Sequence, residues 1–134
     1  MKAAVDTNVL VRAVVRDDKA QAEIAAKLLR NSDLIGVAVS ALCELVWVLR
    51  RFYGFKAAEV ADTIRALTSA ENVETNQPAV EAGLAMLDAG GDFADGVIAF
   101  EGRWLGAETF VSFDKKAVEV LKEQGMAVRV LETR

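Results

Sequence analysis

The chain contains no histidine. That absence excludes a Ser-His-Asp triad, a Cys-His pair and histidine acid–base ribonuclease chemistry. It excludes histidine-ligated zinc as well. Cysteine occurs once, at Cys43, which rules out an internal disulfide and a cysteine-based zinc site. The single proline, Pro78, follows ETNQ, where it suits the first turn of a helix. Long apolar runs are missing too. The longest, ALCELVWVL at 41–49, is too short to span a bilayer and is broken by Glu44. MKAAVDTNVLVRAVV at the start carries Asp6 where a signal peptide needs an unbroken apolar core, and no small-residue cleavage site follows, so the expectation is a cytoplasmic protein without a targeting segment. Any catalysis then falls to carboxylates, hydroxyls, lysines or hard metal ions.

What is present is an ordinary globular composition. At 134 residues, 53% hydrophobic and 27% charged, the chain is long enough to bury a core and too apolar to be disordered. No repeat, linker or low-complexity segment interrupts it, so one domain over 1–134 is expected. KAAVD (2–6) and LIGVAV (34–39) read as buried strands, as do ETFVSF (108–113) and AVRVLE (127–132). Helices are expected from about Asn8, over 18–31, after an N-cap at Ser40, over 56–70, from Pro78 to Ala89, after Gly90–Gly91 and over DKKAVEVLKEQG. Strands alternating with helices predict a three-layer α/β/α domain around a mainly parallel sheet. In such sheets ligands bind beyond the carboxyl ends of the strands.

Isolated acids recur at those positions. Asp6 ends the first strand, Glu44 lies one turn into the helix after the second, Asp92 and Asp95 open the helix after the glycine pair, and Asp114 ends the strand ETFVSF. The topology predicts that they share one edge. Each has a structural explanation by itself. Asp6 suits an Asx turn or helix cap, Asp114 an N-cap, and Asp92 with Asp95 the positive end of a helix dipole. Glu44 fits none of these well: the capping box from Ser40 would need an acid at position 43, and its sequence neighbours are apolar. Crowded carboxylates repel, and a divalent cation relieves them. An all-oxygen set suits Mg²⁺ or Mn²⁺, which can activate a water and neutralise phosphoryl oxygens. Metal-dependent phosphodiester hydrolysis is the chemistry this set points to.

VDTNVLV, the lone Glu44 in SALCELVWVL, DFADGVIAF (92–100) and TFVSFDKKA (109–117) resemble, in order and spacing, the four acidic motifs of PIN-domain nucleases, above all the VapC toxins of toxin–antitoxin pairs. The resemblance runs from Lys2 to about Leu131. It implies that Asp6, Glu44, Asp95 and Asp114 are the metal-binding, catalytic quartet, with Asp92 an extra acid. Thr7, Asn8 and Ser112 would orient the carboxylates or a water from behind. Phe100 departs from the small residues common after the third motif and is expected to alter helix packing rather than chemistry. The implied activity is a Mg²⁺- or Mn²⁺-dependent endoribonuclease leaving a 5′-phosphate and a 3′-hydroxyl. The implied partners are RNA, a small cognate antitoxin and a second copy of the chain. The balance of 16 Lys+Arg against 20 Asp+Glu argues against a broadly basic binder, but leaves room for a local track from Arg12, Arg16, Arg50, Arg51, Arg103, Lys115 and Lys116. Leu10, Val14, Leu28, Trp47 and Phe52 are candidates for either partner contact or core.

Two other readings stay open on the residues. A receiver or haloacid-dehalogenase-like phosphatase also uses a strand-end aspartate with Mg²⁺, although Asp6-Thr7-Asn8 lacks the second acid of D-x-D. A non-catalytic binding module of the same fold is the other.

Overall fold

The computed structural model describes residues 1–133. Its elements run β1 (Lys2–Ala4), α1 (Thr7–Val15), α2 (Lys19–Asn31), β2 (Leu34–Gly36), α3 (Val39–Arg51), α4 (Ala57–Thr68), β3 (Val73–Glu74), α5 (Gln77–Asp88), α6 (Phe93–Trp104), β4 (Thr109–Ser112), α7 (Lys115–Glu123) and β5 (Ala127–Val130). The fold is α/β, and every strand pair is parallel. The chain forms two compact units, Met1–Asn76 and Gln77–Arg134.

In the first unit β1, β2 and β3 form a sheet in that order, with Ala3 opposite Ile35 and Ile35 opposite Val73. The strands are shorter than the apolar runs that announced them, because Val5 and Val37 already lie beyond the ladders. β3 is only two residues long and carries no alternation that a sequence pattern would show. α3 starts at Val39 with Ala38 at its N-cap and no side-chain cap bond, so the expected Ser40 cap is replaced by a start two residues earlier. The helix lays Val39, Ala41, Leu42, Leu45, Val46 and Leu49 into the core. At about 100° per residue, that stripe turns Glu44 and Trp47 outward.

The second unit pairs β4 with β5, Phe110 opposite Val128, and packs α7 over them. Its core holds Met86, Ala99, Phe110, Val118 and Leu121. α5 and α6 form a hairpin around the turn at Gly90, whose φ of 88° favours glycine. The two helices approach closely because glycine stands where a side chain would collide. A Cβ on Gly83 would lie 2.6 Å from the Phe93 ring, and one on Gly96 would lie 2.3 Å from the Ala82 carbonyl oxygen. Phe93 is fully buried, which fixes the first turn of α6.

Candidate active site

In the first unit, Asp6 and Glu44 line one cleft together with Thr7, Asn8, Arg12 and Tyr53. Asp6 is the N-cap of α1: its carboxylate accepts a 2.7 Å hydrogen bond from the Thr7 amide. The structural reading of Asp6 is thus realised, and it does not exhaust the group, since a carboxylate offers about four lone pairs. Thr7 is buried beneath it, and Asn8 faces the cleft. Glu44 is exposed. Its apolar neighbours along the chain do not enclose it: Leu42, Leu45, Val46 and Leu49 point to the core, and Glu44 lines the cleft.

Arg12 stands in the same cleft in a defined position. Its Nη1 donates to Asp17 Oδ1 at 2.8 Å, and the Tyr53 hydroxyl donates to Asp17 Oδ2 at 3.1 Å. Partial desolvation pushes the Asp17 carboxyl up, but the hydrogen bonds from Tyr53 and Arg12 and the Arg12 charge outweigh it and hold the group below its ordinary range. The Asp17 hydrogen bond and charge in turn raise Arg12. Sequence reasoning missed Asp17 and Tyr53, which are 36 positions apart and carry no spacing signal. Phe52, the remaining aromatic of the cleft, stands in edge-to-face contact with Trp47, ring centres 5.3 Å apart at 80°. Trp47 and Phe52 are exposed, whereas Leu10 is core.

In the second unit, Asp92 and Asp114 are the N-caps of α6 and α7, accepting from the amides of Ala94 at 3.2 Å and Ala117 at 3.1 Å. Ser112 Oγ accepts from the Asp114 amide at 2.9 Å, so the hydroxyl fixes the turn that presents this aspartate. Asp95 lies in the first turn of α6. Burial raises its carboxyl above the ordinary range, and the charges of Asp92 and then Asp114 raise it further. These three acids therefore feel one another. Among the described residues, no three acids are gathered tightly enough to ligate one ion with side chains as placed. The donor chemistry is all carboxylate, and mutual repulsion at Asp95 is the strain a hard divalent cation relieves, so the set fits Mg²⁺ or Mn²⁺ in kind.

Of the expected basic track, Arg12 lines the acidic cleft. Arg50 and Arg51 are exposed in the last turn of α3, and Lys115 and Lys116 are exposed in the first turn of α7. Arg103 lines a cleft of the second unit with Phe100, exposed Trp104 and Leu121. No helix among the described residues is long and apolar enough to cross a membrane.

The family model for the PIN domain matches residues 3–122. The chain belongs to the PIN domain family. PIN domains are generally nucleases, hydrolases that typically use divalent metals, and the family suggests RNA binding. No curated protein matches the chain. The match takes in all five candidate site acids, Asp6, Glu44, Asp92, Asp95 and Asp114.

Proposed function

We propose that this PIN domain is a Mg²⁺- or Mn²⁺-dependent endoribonuclease and the toxin of a toxin–antitoxin pair, working in the cytoplasm. The observation that carries the reading is the grouping of the acids. Asp6 and Glu44 share one cleft, and Asp92, Asp95 and Asp114 are close enough to raise the Asp95 carboxyl. By their match to the acidic motifs of PIN-domain nucleases, Asp6, Glu44, Asp95 and Asp114 are the acids that would hold the metal, with Asp92 in support. When bound, the ion supplies an activated water and charge neutralisation at the phosphoryl oxygens. The residues of the chain supply the rest. Cap bonds to the amides of Thr7 and Ala117 orient Asp6 and Asp114, and Ser112 sets the turn before α7. Arg12 faces the incoming phosphate, with Arg50, Arg51, Lys115 and Lys116 as further contacts for the RNA backbone.

A homodimer and a small antitoxin complete the reading. Exposed apolar side chains on both units, Ile24, Trp47 and Trp104 among them, provide surface for such contacts. The test is cleavage of a structured RNA pool by antitoxin-free protein, with Mn²⁺ or with EDTA, beside the Asp6→Asn and Glu44→Gln variants. Cleavage that needs metal and disappears in both variants is the expected result. Activity unchanged in the variants, or persisting in EDTA, refutes the assignment. Stable phosphorylation of one aspartate by acetyl phosphate, with no RNA cleavage, would favour a phosphoryl-transfer domain instead.

A further inference from the structure

Arg12 lines the same cleft as Asp6 and Glu44, the two acids of the first unit that the metal reading uses. Among the described residues its ion-pair partner is neither of them. It pairs with Asp17, in the turn between α1 and α2, at 2.8 Å. Asp17 is itself held from three directions. Its Oδ1 accepts from Arg12 Nη1 and, at 3.1 Å, from the Asp18 amide, while its Oδ2 accepts from the Tyr53 hydroxyl at 3.1 Å. The turn that carries it starts at Arg16, a non-glycine residue in the left-handed region with a φ of 60°. Such a conformation persists where its surroundings over-determine it. Asp18, the next residue, caps α2 by accepting from the Gln21 amide at 3.1 Å. The Asp17 carboxylate is therefore fixed, and Arg12 is moored to it. The two side chains are 35% and 46% exposed, and at such exposure an ion pair adds little to stability. What it decides is where the Arg12 charge sits.

We propose that Asp17 is a positioning residue that draws the Arg12 guanidinium away from Asp6 and Glu44 and so leaves their oxygens to a divalent cation. The inference rests on the metal-dependent reading and adds a device, internal to the chain, that keeps the cleft receptive to the ion. A guanidinium and a hard divalent cation seek the same carboxylate oxygens, so Arg12 is a competitor built into the wall of the cleft. Asp17 balances that charge: its hydrogen bond, and then its own charge, raise the guanidinium. With Asp17 removed, Asp6 and Glu44 are the carboxylates of the cleft that remain for Arg12. A guanidinium settled on them would have to be displaced before an ion binds.

The test measures Mn²⁺ uptake by the metal-free full chain, using calorimetry at low salt, with RNA cleavage against Mn²⁺ concentration in parallel. Asp17→Ala should weaken Mn²⁺ binding about threefold, the scale of a surface ion pair set against the metal. The loss should shrink at high salt, which screens the competing pair. Asp17→Glu, which keeps the charge, should recover most of it. In an Arg12→Ala background the same Asp17→Ala change should have no effect on Mn²⁺ affinity. That comparison decides, because a structural role, or a general loss of negative charge, would weaken binding equally with and without Arg12. If Asp17→Ala binds Mn²⁺ as wild type does, or weakens it equally in both backgrounds, the assignment is overturned while the metal reading stands. If wild type takes up no Mn²⁺, both fall. If the Mn²⁺ pattern holds but wild type cleaves no RNA, the nuclease reading falls and the assignment of Asp17 stands.

Discussion

Replacing Gly96 with alanine tests how α6, and with it Asp95, is seated. A Cβ there would lie 2.3 Å from the Ala82 carbonyl oxygen, 2.9 Å from the Ala82 carbonyl carbon and 2.9 Å from Met86 Cγ. Non-bonded atoms settle near 3.5 Å, so about 1 Å of movement is required. The first two obstacles are backbone of α5 and cannot rotate away. Overpacking of this kind costs about 1–3 kcal/mol, and a backbone obstacle places it near the top. Alanine recovers about 1 kcal/mol of helix propensity, which leaves a net loss of about 2 kcal/mol. Gly102, in the same helix, is the internal control. A Cβ there meets only Ala107 Cβ at 4.0 Å, an ordinary contact. Gly102→Ala should therefore stabilise by up to about 1 kcal/mol. Urea unfolding followed by circular dichroism measures both. A misplacement of about 1 Å beside a reacting group costs on the order of 100-fold in rate, so Gly96→Ala should also lose RNA cleavage while Gly102→Ala keeps it. A Gly96→Ala protein as stable as wild type would refute the packing argument.

Two further outcomes follow from the acids. Burial and the charges of Asp92 and Asp114 raise the Asp95 carboxyl, so the stability it permits is full below its unfolded value and is lost as pH rises through the raised folded value. Asp95→Asn should therefore raise the melting temperature of metal-free protein at pH 7, with the gap closing on acidification, and a less stable variant at pH 7 in EDTA would contradict the crowding. Asp114 is both a cap and a proposed metal holder, and two substitutions separate the roles. Asp114→Asn should keep the cap to the Ala117 amide and lose activity, whereas Asp114→Ala should lose activity and also about 1 kcal/mol of stability. Urea midpoints that move equally in both would remove the cap from the account.

Much of the fold was legible because period and punctuation agree. α3 shows its core stripe as Leu42, Leu45, Val46 and Leu49, and α6 follows directly on Gly90–Gly91. The acids stood out as single charges at element ends, and Asp6, Asp92 and Asp114 are caps at those ends. The exposure of Glu44 is readable from the same stripe once neighbours are counted around the helix rather than along the chain. β3 escaped because its two residues are paired by β2 and not by any preference of their own. Asp17 and Tyr53 escaped for a related reason: a tertiary hydrogen bond between a loop and the end of a helix leaves no periodic trace. The close approach of α6 to α5 rests on Gly83 and Gly96, and a glycine in a helix announces only a gap, never what fills it.

The chain has two tryptophans, Trp47 in the first unit and Trp104 in the second, and they are 57% and 84% exposed. Intrinsic fluorescence is therefore a surface reporter in this protein. Its emission starts from rings already in water, so thermal or urea unfolding should change its colour little, and circular dichroism is the better unfolding probe. The same placement turns each ring into a private dye for its own unit. In a Trp104→Phe background, quenching of Trp47 by an added oligonucleotide reads events at the Phe52 edge alone. In a Trp47→Phe background, the remaining signal reads the cleft that Trp104 shares with Phe100 and Arg103.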